Sequence, residues 1–288
     1  AEVMLKRLLE LDALPARYAI LEPSADLRER QRERLERKLI PPVFDIIEWL
    51  DGPPAAKWNG VLFANEVIDA LPTPRFMLRD SEVFEEGVAV GATGGFVRTE
   101  HPADALLAAA VRHVERYTGQ SFPDGYRSEL LPQLPYWLQA VMGGLDAGAM
   151  LFVDYGYPRR EYYLPQRDSG TLRAFYRHRV HADPFLWPGL QDITASVDFT
   201  ALAEAGTNAG FDLAGYCTQA SFLLGNGLQQ RLEEVEARAE ESAKQRFRNE
   251  AKRLTLPNEM GERFQAMGFA RDVEFGAAFL MNDLSWRL

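Results

Sequence analysis

The sequence predicts an α/β protein built on a doubly wound, mostly parallel sheet. Three observations carry that expectation. Residues 16–22 (ARYAILE), 43–50 (VFDIIEWL), 60–65 (GVLFAN) and 147–155 (AGAMLFVDY) are short, nearly continuous apolar runs, the pattern of strands covered on both faces. Turn formers bound them, as at Asp51-Gly52-Pro53-Pro54, where proline and glycine cannot continue a ladder. Stretches with helical spacing lie between them, the alternation expected of parallel strands joined by crossover helices.

Taken in order, the chain opens at Ala1 inside an amphipathic pattern, with Val3, Met4, Leu8 and Leu9 at helical spacing. After the strand at 16–22, Ser24 caps a polar helix that runs to about Leu39, where Pro41 and Pro42 stop it. Strands at 43–50 and 60–65 follow. Residues 76–97 read as a hairpin with turns at Glu85-Glu86-Gly87 and Gly94-Gly95. Residues 103–117 and 129–145 read as helices, and 147–155 as the next strand. An irregular lid is expected over 158–194, a helix over 197–209 and one or two strands over 211–224. A charged helix over 228–254 and a last strand over 273–281 complete the reading.

Composition narrows the function classes. Of 288 residues, 42 are acidic and 32 basic, for a net charge of −10. That balance argues against a nucleic-acid partner, which basic surface would have to attract. No run approaches the roughly 20 apolar residues of a membrane helix, so no membrane insertion is expected. One cysteine, Cys217, allows neither a disulfide framework nor a cysteine zinc cluster, which suits a reducing interior. The bases are mostly arginine, which leans towards a bacterial source and a cytoplasmic location.

Open parallel sheets bind ligands beyond the carboxyl ends of their strands, so the polar residues there carry the chemistry. Glu22 ends the first strand and could accept hydrogen bonds from a ribose diol, or serve as a helix-capping acid beside Ser24. Asn65, Glu66 and Asp69 follow the strand at 60–65. Two acids three residues apart share one side of a helical turn, and a planar guanidinium would compensate them. The alternative is internal pairing with an arginine such as Arg75. Asp154 stands at the end of the strand at 147–155, before Gly156-Tyr157-Pro158 turns into the lid. His178 and His181 have a spacing compatible with a metal, near Asp183 and Asp192, yet no recognised ligand pattern accompanies them, so no metal is expected. No GxSxG, HExxH or GxxxxGK[ST] motif is present.

Six stretches together resemble the MidA family of class I S-adenosylmethionine-dependent methyltransferases. They are YAILEPSADLRERQ (18–31), GVLFANEVIDALPTPRF (60–76), LFVDYGYPRREYYLPQRDSGTLRAFYRHR (151–179), PGLQDITASVDFTALA (188–203), TQASFLLGNG (218–227) and LPNEMGERFQAM (256–267). The resemblance implies a Rossmann-like doubly wound sheet with an antiparallel C-terminal strand. Residues 1–288 would form one methyltransferase domain, with insertions at about 76–145 and 158–194. Mitochondrial members of the family are protein-arginine methyltransferases that assist assembly of respiratory complex I, with a matrix location if the source is eukaryotic.

The resemblance also implies roles. S-adenosylmethionine would be the cofactor, with its ribose on Glu22 beside Ser24, its adenine near Trp49 and Leu50, and its edge lined by Asn65. Glu66 would bind the target guanidinium of a protein substrate, with Asp69 in support and Glu129 as a second acid. The family's first strand and Gly-rich loop have no counterpart in these 288 residues and are expected to lie upstream of Ala1. A non-catalytic assembly factor of the same fold is the alternative. A nicotinamide-dependent oxidoreductase would use a similar sheet, but the ANEVIDALP stretch and the lack of a GxGxxG loop disfavour it.

Overall fold

The computed structural model describes residues 1–177 and 179–288. They divide into two compact units, residues 1–57 with 140–144, and residues 58–139 with 145–288.

In the first unit, helix α1 (Glu2–Glu10) precedes strand β1 (Tyr18–Leu21), helix α2 (Ala25–Lys38), the short helix α3 (Pro41–Phe44) and strand β2 (Ile47–Leu50). β1 and β2 pair in parallel, with Leu21 opposite Leu50. Ser24 caps α2 as its sequence implies, its Oγ accepting the Leu27 amide at 3.3 Å. Pro41 ends α2 but also opens α3, since proline lacks the amide that a first helical residue leaves unused. The strand expected over 43–50 is therefore shortened to Ile47–Leu50. Leu5, Leu35, Leu39, Val43 and Trp49 fill this unit's core.

The second unit begins with β3 (Trp58–Asn65), followed by β4 (Arg75–Arg79), β5 (Glu82–Val90), β6 (Phe96–Pro102), α4 (Ala105–Thr118), β7 (Arg127–Glu129) and α5 (Leu134–Met142), of which residues 140–142 count with the first unit. The chain continues through β8 (Leu145–Tyr157), α6 (Arg159–Tyr162), β9 (Arg173–Tyr176), β10 (Arg179–His181), β11 (Asp192–Thr194), β12 (Val197–Asp198) and α7 (Phe199–Asn208). It ends with β13 (Asp212–Thr218), α8 (Gln219–Gly225), α9 (Leu228–Arg238), α10 (Glu241–Thr255) and β14 (Phe264–Arg271).

β8 is the axis of its sheet. β3 and β12 run parallel to it, and β14 runs antiparallel between β8 and β13. The register places Asn65 opposite Val153, so both strands present their polar ends at one level. β8 runs on through Gly156 and Tyr157 instead of turning there. Gly156 permits this, because a Cβ at that position would stand 2.1 Å from the Val197 carbonyl oxygen.

Several expectations change. Glu85-Glu86-Gly87 lies inside β5, and the hairpin turns at Asp80-Ser81, whose φ angles of 50° and 63° suit a tight two-residue loop. Residues 127–129 form β7, which pairs with β4, and the helix expected from 129 begins only at Leu134. Thr218 starts a helix by accepting the Ser221 amide, so only 212–218 of the expected 211–224 strand is extended. The charged helix is two, α9 and α10, separated at Ala239 and Glu240. The final strand is β14, upstream of the expected 273–281, where Gly276–Phe279 forms a 3-10 turn. The lid contains α6 and a small antiparallel sheet of order β10-β9-β11.

Candidate active site

The loop that leaves β3 carries the acids singled out in the sequence. Asn65 and Glu66 are exposed, and the Asn65 side-chain amide donates to Glu66 Oε1 at 3.1 Å. Glu66 has φ 51°, a left-handed conformation that a non-glycine residue keeps only when neighbours hold it. Its amide donates to the Val153 carbonyl at 2.9 Å. Three residues on, Asp69 is 5 % exposed. The Tyr155 hydroxyl donates to Asp69 Oδ2 at 2.6 Å, while Oδ1 is buried with no hydrogen-bond partner. The Ala195 amide, just past β11, donates to the Asp69 carbonyl at 3.1 Å.

Asp154 lies beneath this loop and is 1 % exposed. Its Oδ2 accepts the Ile68 and Asp69 amides at 3.1 and 3.3 Å, and its Oδ1 accepts the Tyr155 amide at 2.9 Å. Burial pushes the Asp154 carboxyl up to about 7, and the nearby negative charge of Asp69 adds to the rise. Burial also raises Asp69. Its bond from Tyr155 opposes that, and the negative charges of Glu66 and Asp192 reinforce it. The Tyr155 hydroxyl is raised by burial and by its bond to Asp69. The charged groups acting on Asp69 are thus all acids.

Glu129 has a different environment from the one expected. It is fully buried on β7, beside β4. Its Oε1 accepts from Arg75 and, at 3.3 Å, from the Leu172 amide; its Oε2 accepts the Thr171 amide at 2.7 Å and hydroxyl at 3.2 Å. Arg75 also donates to Glu86 at 2.6 Å, and Arg127 pairs with Glu86 and Glu100. Arg75 is accordingly committed to Glu86 and Glu129, so the internal partner considered for Glu66 and Asp69 is used elsewhere. Gly170 belongs to the same knot: its φ is 74° and a Cβ there would stand 2.3 Å from Glu129 Oε1. Glu129 fastens the lid to the β4 sheet, and its oxygens are occupied.

The first unit gathers the residues expected at the cofactor. Glu22 directly follows β1, its Oε1 accepting the Ser24 amide at 3.0 Å and its Oε2 accepting Gln31 Nε2 at 3.1 Å. Gln31 Oε1 in turn accepts from the Trp49 indole at 3.1 Å, so one glutamine links Glu22 to Trp49. Arg32 lies over the Trp49 ring at 4.4 Å. Leu50 is half-buried at the end of β2. Ser24 spends its hydroxyl on the helix cap. Each Glu22 oxygen has a second lone pair, the acceptor set that two ribose hydroxyls require. The residues present therefore fit the nucleoside half of the expected cofactor. Sequence reasoning missed Gln31, which sits unmarked in a polar helix, and Tyr155, whose role depends on a neighbour 86 residues away.

His178 lies outside the described residues. His181 packs edge-on against Trp187, with ring centroids 5.4 Å apart. Among the described residues no group of three or more His, Cys, Asp or Glu side chains could hold a metal ion.

In the first unit, the parallel pair β1 and β2 with an acceptor carboxylate directly after β1 is an arrangement suited to a nucleoside cofactor. A model of an S-adenosyl-L-methionine-dependent methyltransferase family matches residues 3–217. The chain belongs to this family, and the MidA resemblance stands. A COG1565 superfamily protein from Burkholderia thailandensis has 38 % identity and a TM-score of 0.90, over 100 % of this chain and 75 % of that one. A second, from the same organism and solved with S-adenosyl-homocysteine bound, has 39 % identity and a TM-score of 0.89, covering 100 % and 72 %. The Drosophila melanogaster homolog of the mitochondrial protein arginine methyltransferase NDUFAF7 is 27 % identical over 215 residues, 71 % of this chain and 46 % of that protein. The Danio rerio protein is 35 % identical over 120 residues, 42 % and 26 % of the two chains. The chain thus spans between about a quarter and a half of the curated relatives it matches. Among the described residues no helix is long and apolar enough to cross a membrane.

Proposed function

We propose that the protein transfers a methyl group from S-adenosylmethionine to an arginine side chain of a protein substrate, with residues 1–288 acting as one methyltransferase domain. The observation that carries the acceptor's identity is the uncompensated acid cluster at the end of β3. Asp69 Oδ1 is buried without a donor, and Glu66 and Asp192 act on that carboxylate with further negative charge. Such a cluster favours a cation with several N–H donors. A guanidinium meets that description, and the names of the NDUFAF7 relatives point the same way.

S-adenosylmethionine brings a methyl group already activated on its sulfonium, so the chain's own task is orientation and electrostatics. Glu22 accepts the ribose hydroxyls, with Gln31 holding its carboxylate and Trp49 in line. Asn65 steadies Glu66. Exposed Glu66 would accept an N–H of the guanidinium, with Asp69 stabilising the cation from below, and S-adenosylhomocysteine would leave once the methyl is transferred. The proton lost by the methylated nitrogen leaves by way of Glu66 to water.

The test is incubation of the intact protein with methyl-labelled S-adenosylmethionine and arginine-bearing peptides, followed by mass spectrometry. Label on an arginine nitrogen is the expected result. Cofactor binding without methyl transfer would favour a non-catalytic assembly factor, and label on lysine would reassign the acceptor.

A further inference from the structure

The loop of residues 66–69 is held by three successive residues of β8. The Val153 carbonyl takes the Glu66 amide, Asp154 takes the Ile68 and Asp69 amides, and the Tyr155 hydroxyl takes the Asp69 side chain. The parallel register makes this possible: with Asn65 opposite Val153, the loop leaving β3 meets residues 154 and 155. At the centre of the clamp is a carboxyl that is 1 % exposed, a costly place for a charge.

We propose that Asp154 is the positioning residue of the acceptor site, and that its carboxylate holds the loop in the conformation that presents Glu66. The geometry explains why an acid stands there. Backbone N–H groups approach both oxygens, Ile68 and Asp69 at Oδ2 and Tyr155 at Oδ1. A carboxylate accepts at both oxygens without offering a donor. Asparagine would turn its NH2 group towards the amides on one side. Loop order is thereby tied to the Asp154 carboxylate. Asp69 faces it from the loop, and burial together with that charge raises its ionisation towards neutral pH.

The inference takes its ligand from the arginine reading, but its geometry can be tested apart from it. Hydrogen exchange of the peptide spanning 66–70 is compared in wild type and Asp154→Asn between about pH 6 and pH 8.5, after correction for intrinsic rates. Asp154→Asn is expected to speed exchange of this loop about tenfold or more, with other peptides and the affinity for S-adenosylhomocysteine unchanged. The KM for an arginine peptide should rise by a similar factor. Unchanged loop exchange in a folded variant overturns the proposal whatever the activity. If that variant does not fold, Asp154→Ser takes its place, being smaller and leaving the same amides without a carboxylate, and unchanged loop exchange in it overturns the proposal equally. Asp154-dependent protection in a protein that methylates no arginine would sustain the positioning role and remove the arginine reading instead.

Discussion

The Tyr155 hydroxyl donates to Asp69 Oδ2 at 2.6 Å, and the other oxygen of that carboxylate is buried without a partner. A half-satisfied buried acid is an arrangement that folding alone disfavours and a cationic ligand relieves. Tyr155→Phe keeps the ring and removes the one side-chain donor. Loss of a hydrogen bond to a charged group should cost about 1.5–3 kcal/mol of stability. Urea unfolding would measure it, and an unchanged midpoint would mean that the Tyr155 bond contributes nothing to stability.

Glu66→Gln keeps the shape of the acceptor group and removes its charge. Preorganised electrostatic groups contribute about 2.7–4 kcal/mol to a transition state, so methyl transfer should fall on the order of 100–1000-fold. Cofactor affinity should hardly change. Single-turnover rates and calorimetry on the folded fraction separate the two, and an unchanged rate would remove Glu66 from the reaction.

Glu129 should behave as a brace. Glu129→Ala strands the lid amides of Thr171 and Leu172 and takes one of Arg75's two carboxylates. Breaking one side of a buried pair costs about 3–5 kcal/mol. Transfer per folded molecule should stay within a few-fold of wild type. A stable variant with abolished transfer would instead restore Glu129 as an acceptor-binding acid. Gly170→Ala should reproduce the destabilisation, because the added methyl would meet the same carboxylate at a backbone angle that disfavours it.

Stability should carry an imprint of Asp154. Its carboxyl rises from 3.8 to about 7 on folding, so the folded protein binds that proton more tightly than the unfolded chain. The resulting stabilisation is complete below about pH 3.8 and is lost as pH rises through about 7, roughly 4 kcal/mol at most. Asp154→Asn has no proton to lose. Its stability relative to wild type should therefore improve from about pH 5 to about pH 7 and then level off in urea titrations. A constant difference across that range would show that Asp154 ionises normally.

Parts of this protein are written locally. The runs GVLFAN and LFVDY specify β3 and β8 because apolar side chains are what a sheet strand needs, although only β8 is buried along its length, Val61 and Phe63 of β3 being exposed. Ser24 and the prolines at 41 and 42 delimit α2 because capping and a missing amide act within a few residues. The acids after β3, and Glu22 after β1, are legible for a related reason: a strand end is where a doubly wound sheet meets its ligand. The misread segments depend on distant partners. Residues 127–129 become a strand because β4 is available to pair with them, and Gly87 stays extended because Thr99 of β6 pairs with it.

What each acid does was decided only in three dimensions. Glu66, Asp69, Glu129 and Asp154 are alike as letters, and spacing gives no reason to separate them. Arg75 and the lid amides saturate Glu129 across gaps of 54, 42 and 43 residues. β8 brings Asp154 and Tyr155 under a loop some 86 residues earlier, burying two of the acids and leaving Glu66 in solvent. A carboxylate's behaviour is set by the donors, charges and water within a few ångströms of it. Local sequence supplies the carboxylates, and long-range strand pairing decides which of them is a brace, which a clamp and which remains free to meet a substrate.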